Sequence, residues 1–205
     1  MTRGGRAGFT LLEMLLAITL LGLIVGSIVG GLHLGRRAWE TGASYDAAGE
    51  VEEAARALAG QLQRVYPVQA SSGRNSVIVA FQGDASSCRF VALSEGGAQW
   101  GGLILTEIGD AGASHGENLS IWTQVFRAAD WASGGRGGMQ EVSLLQNAAY
   151  LRFSYFGEVE RGKPPVWTDS WVDRDSLPLL IAVRLAGNRV GRVVDASFTV
   201  ALKQR

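Results

Sequence analysis

One carboxylate stands where a carboxylate is costly. Between Phe9 and Leu32 the chain carries no ionisable side chain except Glu13. At the centre of a membrane helix such a group costs roughly 2.5–3.5 kcal/mol on insertion scales, so something must compensate it. Elsewhere, residue types that do chemistry are sparse and poorly arranged for it. His33 and His115 share no metal-ligand spacing, and Ser86-Ser87-Cys88 lacks the local signature of an activated nucleophile. Asp169, Asp173 and Asp175 crowd one segment beside Trp167 and Trp171. Three carboxylates could bind calcium, but the Asp-x-Asp-x-Asp-Gly pattern of an EF-hand loop is missing. Asx turns on a solvated loop account for them more simply, so no metal is expected. The chain reads as a protein without an enzymatic activity and without a cofactor.

The element that must carry Glu13 is a long apolar helix. The 24 residues from 9 to 32 make roughly 36 Å at about 1.5 Å each, enough to cross a hydrocarbon core about 30 Å thick. Gly22, Gly26 and Gly30 stand in G-x-x-x-G spacing, which would let a second helix approach closely. A secretory signal has a shorter apolar region and a small-residue cleavage site, and no A-x-A site follows here. Arg3 and Arg6 on one side balance Arg36 and Arg37 on the other, so basic residues do not set the orientation.

Residues 33–66 become polar but keep a helical period. Val51, Ala55, Leu58, Leu62 and Val65 recur at spacings of four and three, forming one apolar stripe that faces a core. Pro67 ends the pattern. The expected helix is therefore in lipid over its first half and on a globular domain over its second. Residues 67–205 change to a period of two. Strands are expected at 77–81, 89–93, 103–106, 119–126, 151–155, 181–185 and 196–202, with loops at 109–116 and 132–138. A helix followed by successive strands gives an α+β class with an antiparallel sheet.

Composition excludes more than it assigns. Nineteen basic and nineteen acidic residues cancel, leaving no electrostatic footprint for nucleic acid. Cys88 is alone, so neither an internal disulfide nor a Cys-based zinc site can form within one chain. Exposed tryptophans often anchor interfaces, which makes Trp131 and Trp171, near expected loops, candidate partner contacts.

Gly8-Phe9-Thr10-Leu11-Leu12-Glu13, after a short basic leader and before a long apolar run, resembles the amino-terminal signal of type IV pilins and pseudopilins. The resemblance implies a pilin-like fold, cleavage between Gly8 and Phe9 by a prepilin peptidase, and N-methylation of Phe9. Residues 1–8 would then be the leader. Cleavage turns the neutral amide nitrogen of Phe9 into a cationic amine one helical turn from Glu13. The implied docking partner of Glu13 is the amine of a neighbouring subunit. Within this family the chain is most similar to the J-type minor pseudopilin of type II secretion. The similarity lies in Leu62–Pro67, in Leu151–Phe156 followed by Trp167-Thr168-Asp169-Ser170-Trp171, and in Leu177-Pro178 opening a strand. It implies I- and K-type partners, a major pseudopilin, and an inner-membrane anchor with a periplasmic domain. An I- or H-type subunit or a minor type IV pilin stays open. The polar helix half, with Val51 and Leu58, is the implied packing surface.

Overall fold

The computed structural model describes residues 11–71, 77–94, 102–110, 118–160, 162–189 and 191–203. Two compact units divide it, Met1–Tyr45 and Asp46–Arg205. Helix α1 runs Leu11–Leu62 and contributes to both. Over Leu11–Leu32 its apolar side chains are exposed all round.

In the second unit the last turns of α1 meet three antiparallel sheets. A two-stranded ribbon pairs β1 (Gln69–Ser71) with β2 (Val77–Val79). A five-stranded meander follows the chain: β3 (Phe81–Gly83), β4 (Cys88–Leu93), β5 (Leu103–Asp110), β6 (Leu119–Val125) and β7 (Gln140–Leu145). A short helix, α2 (Ala128–Ser133), interrupts it between β6 and β7. The third sheet has the order β11-β10-β8-β9, built from β8 (Ala148–Gly157), β9 (Val166–Thr168), β10 (Leu180–Arg189) and β11 (Arg192–Ala201).

The α+β class with antiparallel strands is as expected, but one sheet has become three. The apolar run 77–81 does not form one strand, because Ala80 breaks it. The Ala80 amide donates to the Val68 carbonyl at 2.7 Å, so β2 stays with β1 while β3 pairs with β4. The helix also stops at Leu62, before Pro67, since β4 captures the backbone that follows. Tyr66 N donates to Val91 O at 2.9 Å and Leu93 N to Arg64 O at 3.1 Å. Gly109 and Asp110 lie in β5 and Ala132 and Ser133 in α2, not in loops. Residues 111–117, with His115, lie outside the described residues, as does the side chain of His33.

The main core lies between the last turns of α1 and the two larger sheets. Val51, Leu58 and Leu62 pack there with Phe90, Ile108, Phe153, Ile181 and Val183. This is the expected stripe: Val51, Ala55, Leu58, Leu62 and Val65 are all buried, while Glu50, Glu52, Glu53 and Arg56 are exposed. A second cluster joins Ala70, Ile78, Ala80, Val91, Leu105 and Trp131. Strand β4 feeds both clusters from its two faces, which is why its sequence reads as a nearly continuous apolar run.

Candidate functional site

The amino-terminal segment has the physical properties of a surface meant for another apolar phase. Its 22 residues Leu11–Leu32 have a mean hydropathy of 2.4 and none of them is buried. At about 1.5 Å each they span roughly 33 Å. The hydroxyls inside it are satisfied by the helix itself. Thr19 Oγ1 donates to Leu16 O at 2.9 Å, and Ser27 Oγ donates to Leu23 O at 2.8 Å. In hydrocarbon, where water offers no partner, that local satisfaction is what a spanning helix needs. The helix surface at Gly22, Gly26 and Gly30 touches no other part of the described chain, leaving a smooth strip open to a neighbour. Glu13 sits in the first described turn, and its side chain is exposed. Gly8 and Phe9, the expected cleavage and methylation positions, lie outside the described residues.

The other expected contact residues are placed differently. Val51 and Leu58 are fully buried against the chain's own sheets, so their side chains offer a partner nothing. The same holds for Trp171, whose burial is complete, and for Trp131 at 6% exposure. Both tryptophans sit in polar-looking segments yet lock structure together. Trp171 joins two sheets: it exchanges backbone hydrogen bonds with Gly83 of β3, at 2.8 and 2.9 Å, while its ring lies on Gly157 of β8. A Cβ at Gly157 would come within 2.5 Å of that ring, so glycine is what lets the indole seat. Its Nε1 donates to Ser176 O at 3.0 Å. Trp131 lies beneath a charged brace on the five-stranded sheet. The Arg89 guanidinium is 5.7 Å from its ring centroid and donates to Asp130 O at 3.1 Å. Glu107, paired with Arg89 across the strands, also accepts from Arg136 Nε at 2.6 Å, and Arg136 stacks 3.7 Å from the Trp122 ring centroid. The brace fastens α2 and the segment after it to the sheet.

The candidate chemical residues do not converge. Asp169 accepts from Ser154 Oγ at 3.0 Å on β8, whereas Asp173, at φ 52°, turns the chain after Trp171. Among the described residues no group of three His, Cys, Asp or Glu could hold a metal ion. Ser86 and Ser87 are committed to a turn. Asp84 Oδ1 accepts from both of their amides at 2.7 Å, and Asp84 Oδ2 accepts from Ser87 Oγ at 2.7 Å. Cys88 is buried, and that burial pushes its thiol far above the ordinary range. A nucleophilic cysteine needs the opposite, a readily formed thiolate. The Tyr155 hydroxyl beside it is raised by burial too, and donates to the Asp84 carbonyl at 3.0 Å.

Residues 3–29 match the prokaryotic N-terminal methylation motif. No curated protein matches the chain. The motif spans the Gly8–Phe9 bond, Glu13 and most of the apolar helix, and it supports a pilin- or pseudopilin-type protein. It carries with it processing by a prepilin peptidase and assembly with other pilin-type subunits. The apolar helix is compatible with a single-pass membrane anchor.

Proposed function

We propose that this chain is a minor pseudopilin of J type. It joins I- and K-type partners at the tip of a type II secretion pseudopilus and has no enzymatic activity of its own. The observation that carries this reading is the methylation motif at residues 3–29, laid over an exposed apolar helix with Glu13 in its first described turn. The finer assignment draws support from the Trp167–Trp171 segment and from Leu177-Pro178. There Trp171, Leu177 and Pro178 form one buried joint ahead of β10.

In this reading the chain sits in the bacterial inner membrane with its carboxy-terminal unit in the periplasm. Cleavage at Gly8–Phe9 removes Arg3 and Arg6 and frees the Phe9 nitrogen as a cation, which is then N-methylated. A subunit docks when its amine reaches the Glu13 carboxylate of a neighbour. In lipid, neither charge is stable alone, and their mutual attraction offsets part of the desolvation cost of both. Unprocessed chains lack the amine and so cannot compete for the site.

Two measurements test this. Full-length chain, processed in the membrane and extracted in detergent, is expected to co-purify stoichiometrically with I- and K-type subunits. Specific binding to the minor subunits of a type IV pilus instead would transfer the assignment to that fibre. Glu13→Leu should insert normally but crosslink to partner subunits at least tenfold less; unchanged crosslinking would remove the carboxylate from assembly.

A further inference from the structure

We propose that the outer face of the four-stranded sheet is a docking groove for an acidic polypeptide segment of a partner protein. The partner's carboxylates seat on Arg152 and Arg184, and a neighbouring apolar side chain packs on Trp167. This face is distinct from the membrane helix, and the inference does not depend on which fibre the chain joins.

The groove has a volume of about 570 Å³ and is lined by Arg152, Ser154, Trp167, Asp169, Ala182 and Arg184 among others. Its character follows from the register of β8 on β10. Arg152 stands directly opposite Arg184, Ser154 opposite Ala182, and Phe156 opposite Leu180. Trp167 of β9 then stands opposite Phe156, with ring centroids 5.2 Å apart. One sheet face therefore steps from a cationic pair, over a floor of two small residues, to an aromatic wall.

Two features of that face work against the isolated chain. Like charges directly opposite on neighbouring strands repel and weaken the sheet. Both arginines are exposed, and among the described residues neither has an ion-pair partner. The groove's own carboxylate, Asp169, accepts a hydrogen bond from Ser154. Trp167 is 51% exposed although a core position would stabilise it more. A feature that breaks a local rule without an internal gain points to an external one. Two guanidinium forks match carboxylates in bidentate geometry, and a half-exposed tryptophan beside them is the usual composition of an interface anchor. The partner chemistry that satisfies all three residues is a strand-like segment with carboxylates at one end and an apolar side chain at the other. Four residues along a strand, at about 3.4 Å each, separate the arginine pair from Phe156.

The test uses full-length chain in detergent micelles, labelled with 5-fluorotryptophan, with the Trp167 resonance identified from Trp167→Phe. The probe is the blocked peptide acetyl-Glu-Ser-Glu-Ser-Phe-Ser-amide, and its control carries Gln for Glu. The acidic peptide is expected to shift the Trp167 resonance saturably and to leave the other tryptophans unmoved. The control peptide, and the double variant Arg152→Gln/Arg184→Gln, should each bind at least tenfold more weakly. Because the variant removes a repulsion, its Tm should be unchanged or higher, and the unmoved tryptophans report that it is folded. Any of several results would overturn the proposal: no shift, equal binding of the Gln peptide, undiminished binding by the double variant, or a lowered Tm. So would a response confined to inorganic phosphate or to phosphatidylglycerol vesicles, or self-association of the chain through this face.

Discussion

The two ends of α1 use the same residue types for opposite ends. Between Leu11 and Leu32 its leucines, isoleucines and valines are all about half exposed or more, from Val29 at 49% to Leu11 at 85%. Between Val51 and Leu62 the stripe Val51, Ala54, Ala55, Leu58 and Leu62 is buried, with Leu58 and Leu62 at 0%. The second segment carries more charge, and the way the polar residues are arranged completes the difference. In the first segment apolar residues circle the helix, so no single packed face could cover them, and a hydrocarbon solvent could. In the second they occupy one stripe, and exposed Glu50, Glu52, Glu53 and Arg56 take the remaining surface, with Arg56 bonded to Glu52 at 3.0 Å. A helix tells its solvent by where its polar residues are, more than by how many apolar ones it holds.

The sharpest way to break this comparison is to delete the same atoms at both ends. Leu58→Ala removes a fully buried side chain from the main core and should cost about 2–5 kcal/mol. Leu20→Ala, at a position 53% exposed, should leave the unfolding of the carboxy-terminal unit unchanged. Thermal unfolding of full-length chain in detergent reads both. Equal losses would mean that the two segments share one cooperative core.

A charge sharpens the comparison from the other direction. Leu23→Arg places a cation in the middle of Leu11–Leu32, where insertion costs roughly 2.5–3.5 kcal/mol. The fraction of chain integrated in membranes, measured by alkaline extraction, should fall clearly. Insertion of Glu13→Leu should not fall. Arg56, by contrast, is already a tolerated cation on the same helix, because its side of the helix faces away from the sheets.

How legible these features were depended on whether the signal was local. The membrane segment, Glu13 and the stripe from Val51 to Val65 are patterns within one helix, and the period alone places them. Strands β10 and β11 alternate cleanly and were equally readable. What escaped depends on partners distant in sequence. The run 77–81 looks like one strand until Val68 claims the amide of Ala80. Strand β9 and helix α2, at three and six residues, are too short for any period to emerge. Trp131 and Trp171 were candidate contacts because they lie near expected loops, yet both are buried. Arg89 and Gly157 supply the covers, and neither is near in sequence. Arg152 and Arg184 alternate with apolar neighbours in the sequence, but their opposition appears only once β8 and β10 are in register.

The smallest expected effect tests whether stability in the second unit resides in the stripe or is shared with its polar turns. Partial burial pushes the Asp84 carboxyl up, but donors from Ser87 and Ser86 favour the ionised form and outweigh it, leaving the group below its ordinary range. A depressed carboxyl contributes stability that is fully present above the unfolded value, about 3.9, and lost as pH falls through the folded value. Asp84→Asn keeps one acceptor oxygen and loses the charge. The variant should therefore melt below the parent at pH 6, by ~2 °C at most because the turn is largely solvated, and the gap should close as pH falls through the folded value. A pH-independent gap would assign the effect to geometry instead of charge. A gap as large as that of Leu58→Ala would make the β3–β4 turn an equal partner of the stripe. That would overturn the view that the buried face of α1 dominates this unit.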